Sequence, residues 1–207
     1  MTTLSVIVFD LGRVLVDLDF DAFPRLLGFE RSHASPSAKS SIERLAIQYE
    51  TGKITTGQFF NSLDDILHHK FRREELLNAW NAIIGEENSA IAPIVDAVQL
   101  HHRTAILSNT NPTHFQKALD TLPTLRKFSK RYLSYEIGAM KPDLAVYRHV
   151  IENLNVDPST ILFNRRYFRK YYCRSAMWYG RGSIHRPSPT ERRIRVAEHF
   201  VAPSFPK

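Results

Sequence analysis

The first apolar segment of the chain does not alternate with polar residues. Residues 4–9, Leu-Ser-Val-Ile-Val-Phe, form a β-branched and aromatic run, which predicts a strand buried on both faces, as in a parallel sheet. Asp10 closes it. Over residues 20–85 the period becomes helical: Ile42, Leu45, Ala46 and Tyr49, then Phe59, Leu63, Ile66 and Leu67, then Leu76, Leu77, Trp80 and Ile84 recur at three-and-four spacing. No strand is expected in this block, which Gly52, Gly57 and Gly85 punctuate; Thr56 or Asn88 would cap the helices that follow. A helix over about 89–101 leads into a second apolar strand, 104–107, ending at Ser108-Asn109-Thr110. A helix through Phe115 and Leu119 and a weaker strand near 132–134 come next. Met140-Lys141-Pro142-Asp143 then opens a helix with proline in its first turn. Asp157-Pro158-Ser159 turns into a strand over 160–163. Strands alternating with helices predict an α/β fold with an open parallel sheet and ligands outside the carboxyl ends of its strands. Asp10 and Ser108 share that edge.

Length and composition narrow this little further. A chain of 207 residues accommodates one core with an insertion, and no apolar run approaches the ~20 residues of a membrane span. A single cysteine, Cys173, excludes an internal disulfide and points to a reducing cytoplasm. Met1-Thr2-Thr3 leads straight into the first strand without the pattern of a secretory signal. Charge is more telling, because the net +7 is unevenly placed: residues 164–207 carry 11 Lys and Arg against 2 Asp and Glu, and the rest of the chain 17 against 19. The folded part is therefore no basic nucleic-acid surface.

A carboxylate at the tip of a buried strand, followed by Leu11 and Gly12 whose N–H groups can turn toward an anion, suits attack on phosphorus to form an aspartyl-phosphate. Alone, an aspartate in such a place is more often a turn residue. Three motifs together are more specific. Phe9-Asp10-Leu11-Gly12-Arg13-Val14-Leu15-Val16-Asp17, Leu107-Ser108-Asn109-Thr110-Asn111 and Met140-Lys141-Pro142-Asp143 resemble, in order and spacing, the first three motifs of the haloacid dehalogenase superfamily. The chain is most similar to its small phosphatases with a helical cap after the first motif, including those acting on sugar phosphates such as glucose 1-phosphate. The resemblance implies a Rossmann-like core over residues 1–19 and 86–163 with a helical cap over 20–85. It implies a Mg²⁺-dependent hydrolysis of a small phosphate ester, with Asp10 as nucleophile and metal ligand and the Gly12 carbonyl as a second ligand. Ser108 and Asn109 would hold the phosphoryl oxygens beside the Leu11 and Gly12 backbone, and Lys141 would neutralise charge on the phosphoryl group and on Asp10. The bland alternative makes Ser108 and Asn109 helix caps and Lys141 a solvated lysine.

Two features depart from the family. Most of its phosphatases carry an aspartate two residues after the nucleophile as general acid/base; here that position is Gly12, and some similar members share this form. Asp17 is a poor substitute, being placed at the cap entrance. After Phe163 an acidic pair should complete the metal site, but the chain reads Asn164-Arg165-Arg166 and continues without periodicity, with Tyr167, Phe168, Tyr171 and Tyr172 among arginines. Arginines do not ligate a cation. Back-translated and read one nucleotide later with permitted codons, residues 164–174 become Ile-Asp-Asp-Ile-Ser-Glu-Asn-Ile-Ile-Ala. The unique Met177 and Trp178 codons then force Cys-Gly. Both the acidic pair and the glycine fall where the family requires them, so residues from about 164 onward read as out of frame, an irregular basic tail in place of the fourth motif. Two other readings stay open: an inactive remnant of the fold, and a nucleic-acid-binding protein using interleaved Arg and Tyr of the tail. His68-His69 and His101-His102 are adjacent pairs on predicted helices, a spacing that shares no face and suits solvent-exposed residues. Substrate identity and oligomeric state are not encoded in any recognisable motif.

Overall fold

The computed structural model describes residues 4–28, 36–164 and 196–197. Five parallel strands form one sheet in the order β5 (Lys130–Leu133), β4 (Arg103–Ser108), β1 (Val6–Phe9), β6 (Ile161–Asn164), β7 (Val196–Ala197). The chain's first strand is thus the centre of the sheet. Successive strand residues face opposite sides, and both sides are covered, which is why β1 shows no alternation. Ile7, Phe9 and Ile106 pack with Val95, Phe115 and Phe128, contributed by α5 (Ala92–Gln99), α6 (Pro112–Thr121) and the segment after α7 (Pro123–Arg126). On the other face, Val6, Val8, Ala105 and Leu107 pack with Val146, Tyr147 and Val150 of α9 (Leu144–Leu154). No described helix is long and apolar enough to cross a membrane.

Four helices, α1 (Ala22–Leu26), α2 (Pro36–Glu50), α3 (Thr56–Ile66) and α4 (Arg73–Asn81), are inserted between β1 and α5 and build a core of their own. Its centre is Phe59, stacked on Tyr49 with ring centroids 4.4 Å apart and tilted against Trp80 at 4.7 Å. The inserted block follows the predicted spacing, but its borders differ from expectation. A strand does occur: β3 (Ile84–Glu87) pairs antiparallel with β2 (Val16–Leu18), with a register shift between Val16 and Leu18. Gly85 belongs to this ribbon and does not end a helix.

Capping also differs. The N-cap of α3 is Thr55, in a reciprocal capping box with Gln58. Asn88 does not cap α5, whose N-cap is Ile91; its side chain donates to the Val14 carbonyl at 3.0 Å and accepts from Ala90 N at 3.2 Å. Pro142 lies before α9, not within it, because the Asp143 carboxylate accepts from Ala145 N at 2.9 Å and fixes the N-cap there. His68 and His69 form a left-handed turn after α3, with φ of 59° and 55°, and both are exposed, as is His101; none of the three is helical. His102 is half-buried, its Nδ1 3.0 Å from the Leu4 carbonyl. Cys173 and almost all of the 164–207 tail lie outside the described residues.

Candidate active site

Parallel pairing brings three separate stretches of sequence to one point. Phe9 is level with Ile106 of β4 and Asn164 of β6, so Asp10 leaves the sheet between the ends of two neighbouring strands. Its own N–H donates to the Asn164 carbonyl at 3.3 Å, and its Oδ1 accepts from Leu11 N at 2.9 Å. The chain then reverses in a tight turn: Leu15 and Val16 donate to the Leu11 carbonyl at 2.9 and 3.2 Å, while Arg13 takes a positive φ of 61°. Asn88 holds this turn from outside, donating to Leu15 O from its backbone at 2.8 Å and to Val14 O from its side chain. Periodicity gives Asn88 no such role, since the contact depends on pairing across 74 residues.

Lys141 is buried and its ammonium lies 2.7 Å from Asp10 Oδ1. The same Nζ donates to the Leu107 carbonyl at 2.8 Å, which removes the solvated-lysine alternative. Asn109 supports Lys141 through two backbone bonds: Lys141 N donates to Asn109 Oδ1 at 2.7 Å, and Asn109 Nδ2 donates to Lys141 O at 2.8 Å. The asparagine side chain therefore positions the lysine. Ser108 is buried at the strand end. Neither residue caps α6, because Asn111 does so by accepting from His114 N at 3.0 Å. Thr110 is tied to Ser134 in both directions at 3.0 Å, which fixes the loop carrying Ser108 and Asn109.

His114 joins the sheet core to the inserted helices and was not expected from the sequence. It is buried, stacked on Trp80 with centroids 4.9 Å apart, with Nε2 2.8 Å from the Trp80 carbonyl and Nδ1 3.1 Å from Asn111 Nδ2. Neutral imidazole satisfies both contacts, with Nε2–H donating and Nδ1 accepting. Burial holds its pKa down to about 4.

A divalent cation needs several oxygen donors, preferably anionic. Asp10 offers one carboxylate, already facing Lys141, and the Gly12 carbonyl follows two residues on. At the end of β6 stands Asn164, followed in sequence by Arg165 and Arg166. Among the described residues there is no group of three or more His, Cys, Asp or Glu side chains able to hold a metal. The described residues do not by themselves complete a Mg²⁺ site.

Residues 4–163 match the family model of haloacid dehalogenase-like hydrolases; the chain belongs to this family. Over 168 residues, 76% of the chain and 80% of the relative, it is 29% identical to the D-ribitol-5-phosphate phosphatase of Bacteroides thetaiotaomicron. Among solved structures, a family enzyme of the same bacterium superposes with a TM-score of 0.74 at 22% identity, covering 86% of this chain and 91% of that one. The complex of that enzyme with magnesium and inorganic phosphate superposes with a TM-score of 0.70 at 23% identity over the same shares. A protein from Porphyromonas gingivalis described as a predicted hydrolase of this family gives a TM-score of 0.68 at 21% identity, covering 86% and 89%.

Proposed function

We propose that this chain is a phosphatase acting on small phosphomonoesters of the sugar or polyol phosphate class through an aspartyl-phosphate on Asp10. The observation that carries the reading is the contact of the buried Lys141 ammonium with the Asp10 carboxylate, 2.7 Å apart at the centre of the sheet edge. A fixed cation there offsets the repulsion between an anionic nucleophile and an anionic ester. Residues 1–19 and 86–163 would form the core and 20–85 the cap. Asp10 Oδ attacks phosphorus, the ester oxygen departs, and water then attacks the phosphoryl-enzyme to release phosphate and regenerate the carboxylate. Leu11 and Gly12 N–H groups, Ser108 and Lys141 would bind the phosphoryl oxygens, with Asn109 setting the lysine. The similarity to a ribitol-phosphate phosphatase supports a polyol phosphate as substrate.

Mg²⁺ is the cofactor that the family implies, with Asp10 and the Gly12 carbonyl as its ligands. The sequence continues from β6 as Asn164-Arg165-Arg166 with no acidic residue, so turnover is expected to be slow. The test is hydrolysis of p-nitrophenyl phosphate by wild type and Asp10→Asn, with acid-stable trapping of phosphate on the protein. Loss of both signals in the variant supports the reading; undiminished hydrolysis by Asp10→Asn overturns it.

A further inference from the structure

Position 12 has no side chain with which to protonate a leaving group, and a leucine methyl stands where one would begin. A Cβ on Gly12 would stand 2.8 Å from Leu18 Cδ1, the end of that side chain. Gly12 also borders a cavity of about 160 Å³ between the strand ends and the inserted helices. Ser108, Asn109 and Thr110 line one side of it; Phe23, Ile42 and Trp80 make the other side apolar. The Trp80 indole N–H is buried without a hydrogen-bond partner.

Helix α2 brings three ionisable side chains to this wall, Lys39, Glu43 and Glu50. Lys39 and Glu43 each have a polar partner. Glu50, half-buried at the last turn of α2, makes no hydrogen bond or ion pair with any described residue. A carboxyl withdrawn from water and left unpaired is costly to ionise and ready to donate its proton.

We propose that Glu50 is the general acid of this site, protonating the ester oxygen of the leaving group from across the cavity in place of the acid that Gly12 lacks. The role rests on the phosphatase reading above. As Asp10 Oδ bonds to phosphorus and the P–O ester bond breaks, the Glu50 proton passes to the departing oxygen, giving a neutral alcohol and the Glu50 carboxylate. In the second step water attacks the phosphoryl-enzyme and keeps both its protons on the phosphate, released as H₂PO₄⁻ as the P–O bond to Asp10 breaks, and Glu50 regains its proton from solvent. Inorganic phosphate leaves, and both carboxyl groups return to their starting states. Desolvation pushes Glu50 up to about 7, which keeps much of it protonated at neutral pH. Other ionisable groups share the cavity wall, Lys39 and Glu43 on α2 and His114 on α6, and the helices packed against α2 carry Tyr135 and Glu136 on α8 (Ser134–Ile137) and Asp64 and Asp65 on α3.

The experiment compares wild type with Glu50→Gln on two esters, p-nitrophenyl phosphate, whose leaving group needs no proton, and D-ribitol 5-phosphate, whose alkoxide does. General acid catalysis is typically worth ~10²–10⁴ in rate, so Glu50→Gln should slow the polyol ester at least ~100-fold and the aryl ester less than about threefold. Retained aryl hydrolysis shows that the variant folds. With the polyol ester, wild-type kcat should fall as pH rises through 7, and this limb should be missing from Glu50→Gln. Equal losses on both esters, or no loss on either, overturn the acid role and leave the phosphatase reading standing. Failure of wild type to hydrolyse either ester overturns the phosphatase reading and the acid role with it.

Discussion

At the scale of single residues, the site is held by groups that differ in how plainly the sequence announces them. Asp10 and Ser108 each end a strand and Lys141 stands in a short motif, and the resemblance of those motifs to the family's singles them out. His114 and Asn88 carry no such signal, because their partners, Trp80 and Val14, lie 34 and 74 residues away. His114 has a measurable signature. Its folded pKa, near 4, lies below the unfolded value of 6.5, so the unfolded chain binds the extra proton between these values. The contribution of neutral His114 is complete above pH 6.5 and is lost as pH falls toward 4. At 1.36 kcal/mol per pKa unit the full span is about 3 kcal/mol, roughly 2 of it by pH 5. Glu50 runs the other way: its folded pKa is raised from 4.5 to about 7, so its protonated form favours the folded state below 4.5 and that advantage fades as pH rises through 7. Comparing wild type with His114→Phe isolates the histidine. The urea-unfolding difference between the two proteins should move by about 2 kcal/mol in favour of the variant from pH 7 to pH 5; a pH-independent difference would mean the imidazole is not buried neutral.

Between elements, what matters is how the helical block is set against the sheet. The ribbon of β2 and β3 that joins them is invisible to periodicity for a physical reason. Its strands are three and four residues long, one of them contains Gly85, and their pairing is interrupted by a register shift, so neither shows the alternation that marks a strand. The large helices of the block were legible because each buries a continuous stripe. A second join is the loop after α2. Gly52 has φ of +66°, and a Cβ there would overlap the Tyr135 carbonyl, so this loop approaches the sheet-side backbone as only glycine permits. Gly138 also has a positive φ, +80°, but nothing lies within 4 Å of the point where its Cβ would stand. Gly138→Ala should therefore cost only the left-handed penalty, about 1–2 kcal/mol. Gly52→Ala adds overpacking, typically ~1–3 kcal/mol, and should lower the urea midpoint clearly more. Equal midpoint losses would show that the loop does not press on Tyr135.

For the molecule as a whole, the sheet and the metal half of its site diverge at the same residue. Up to Phe163 the sequence pattern, the parallel register and the family match agree; β6 then delivers Asn164 to the level of Phe9, and the sequence continues with Arg165 and Arg166 at the positions where the family resemblance calls for an acidic pair. The break is legible in the sequence as a loss of periodicity after Phe163, and permitted codons read one nucleotide later allow an Asp-Asp pair there, with the Met177 and Trp178 codons forcing Cys-Gly. Among the described residues Asp10 has no second carboxylate beside it to hold a dication, and a dication sharing that one carboxylate with the Lys141 ammonium is repelled by it. The chain as it stands should therefore bind Mg²⁺ weakly, and calorimetric titration should show no heat of binding at submillimolar concentrations. The coding DNA supplies the paired measurement. Read one nucleotide later from codon 164, it should give the Asp-Asp pair and continue through Cys-Gly without a stop. A chain made in that frame should bind Mg²⁺ at least ~10-fold more tightly, as carboxylate ligands are restored, and hydrolyse p-nitrophenyl phosphate faster. An early stop or a non-acidic pair in the alternative frame would make the basic tail genuine, and tight Mg²⁺ binding by the present chain would mean that Asp10 and its backbone neighbours suffice.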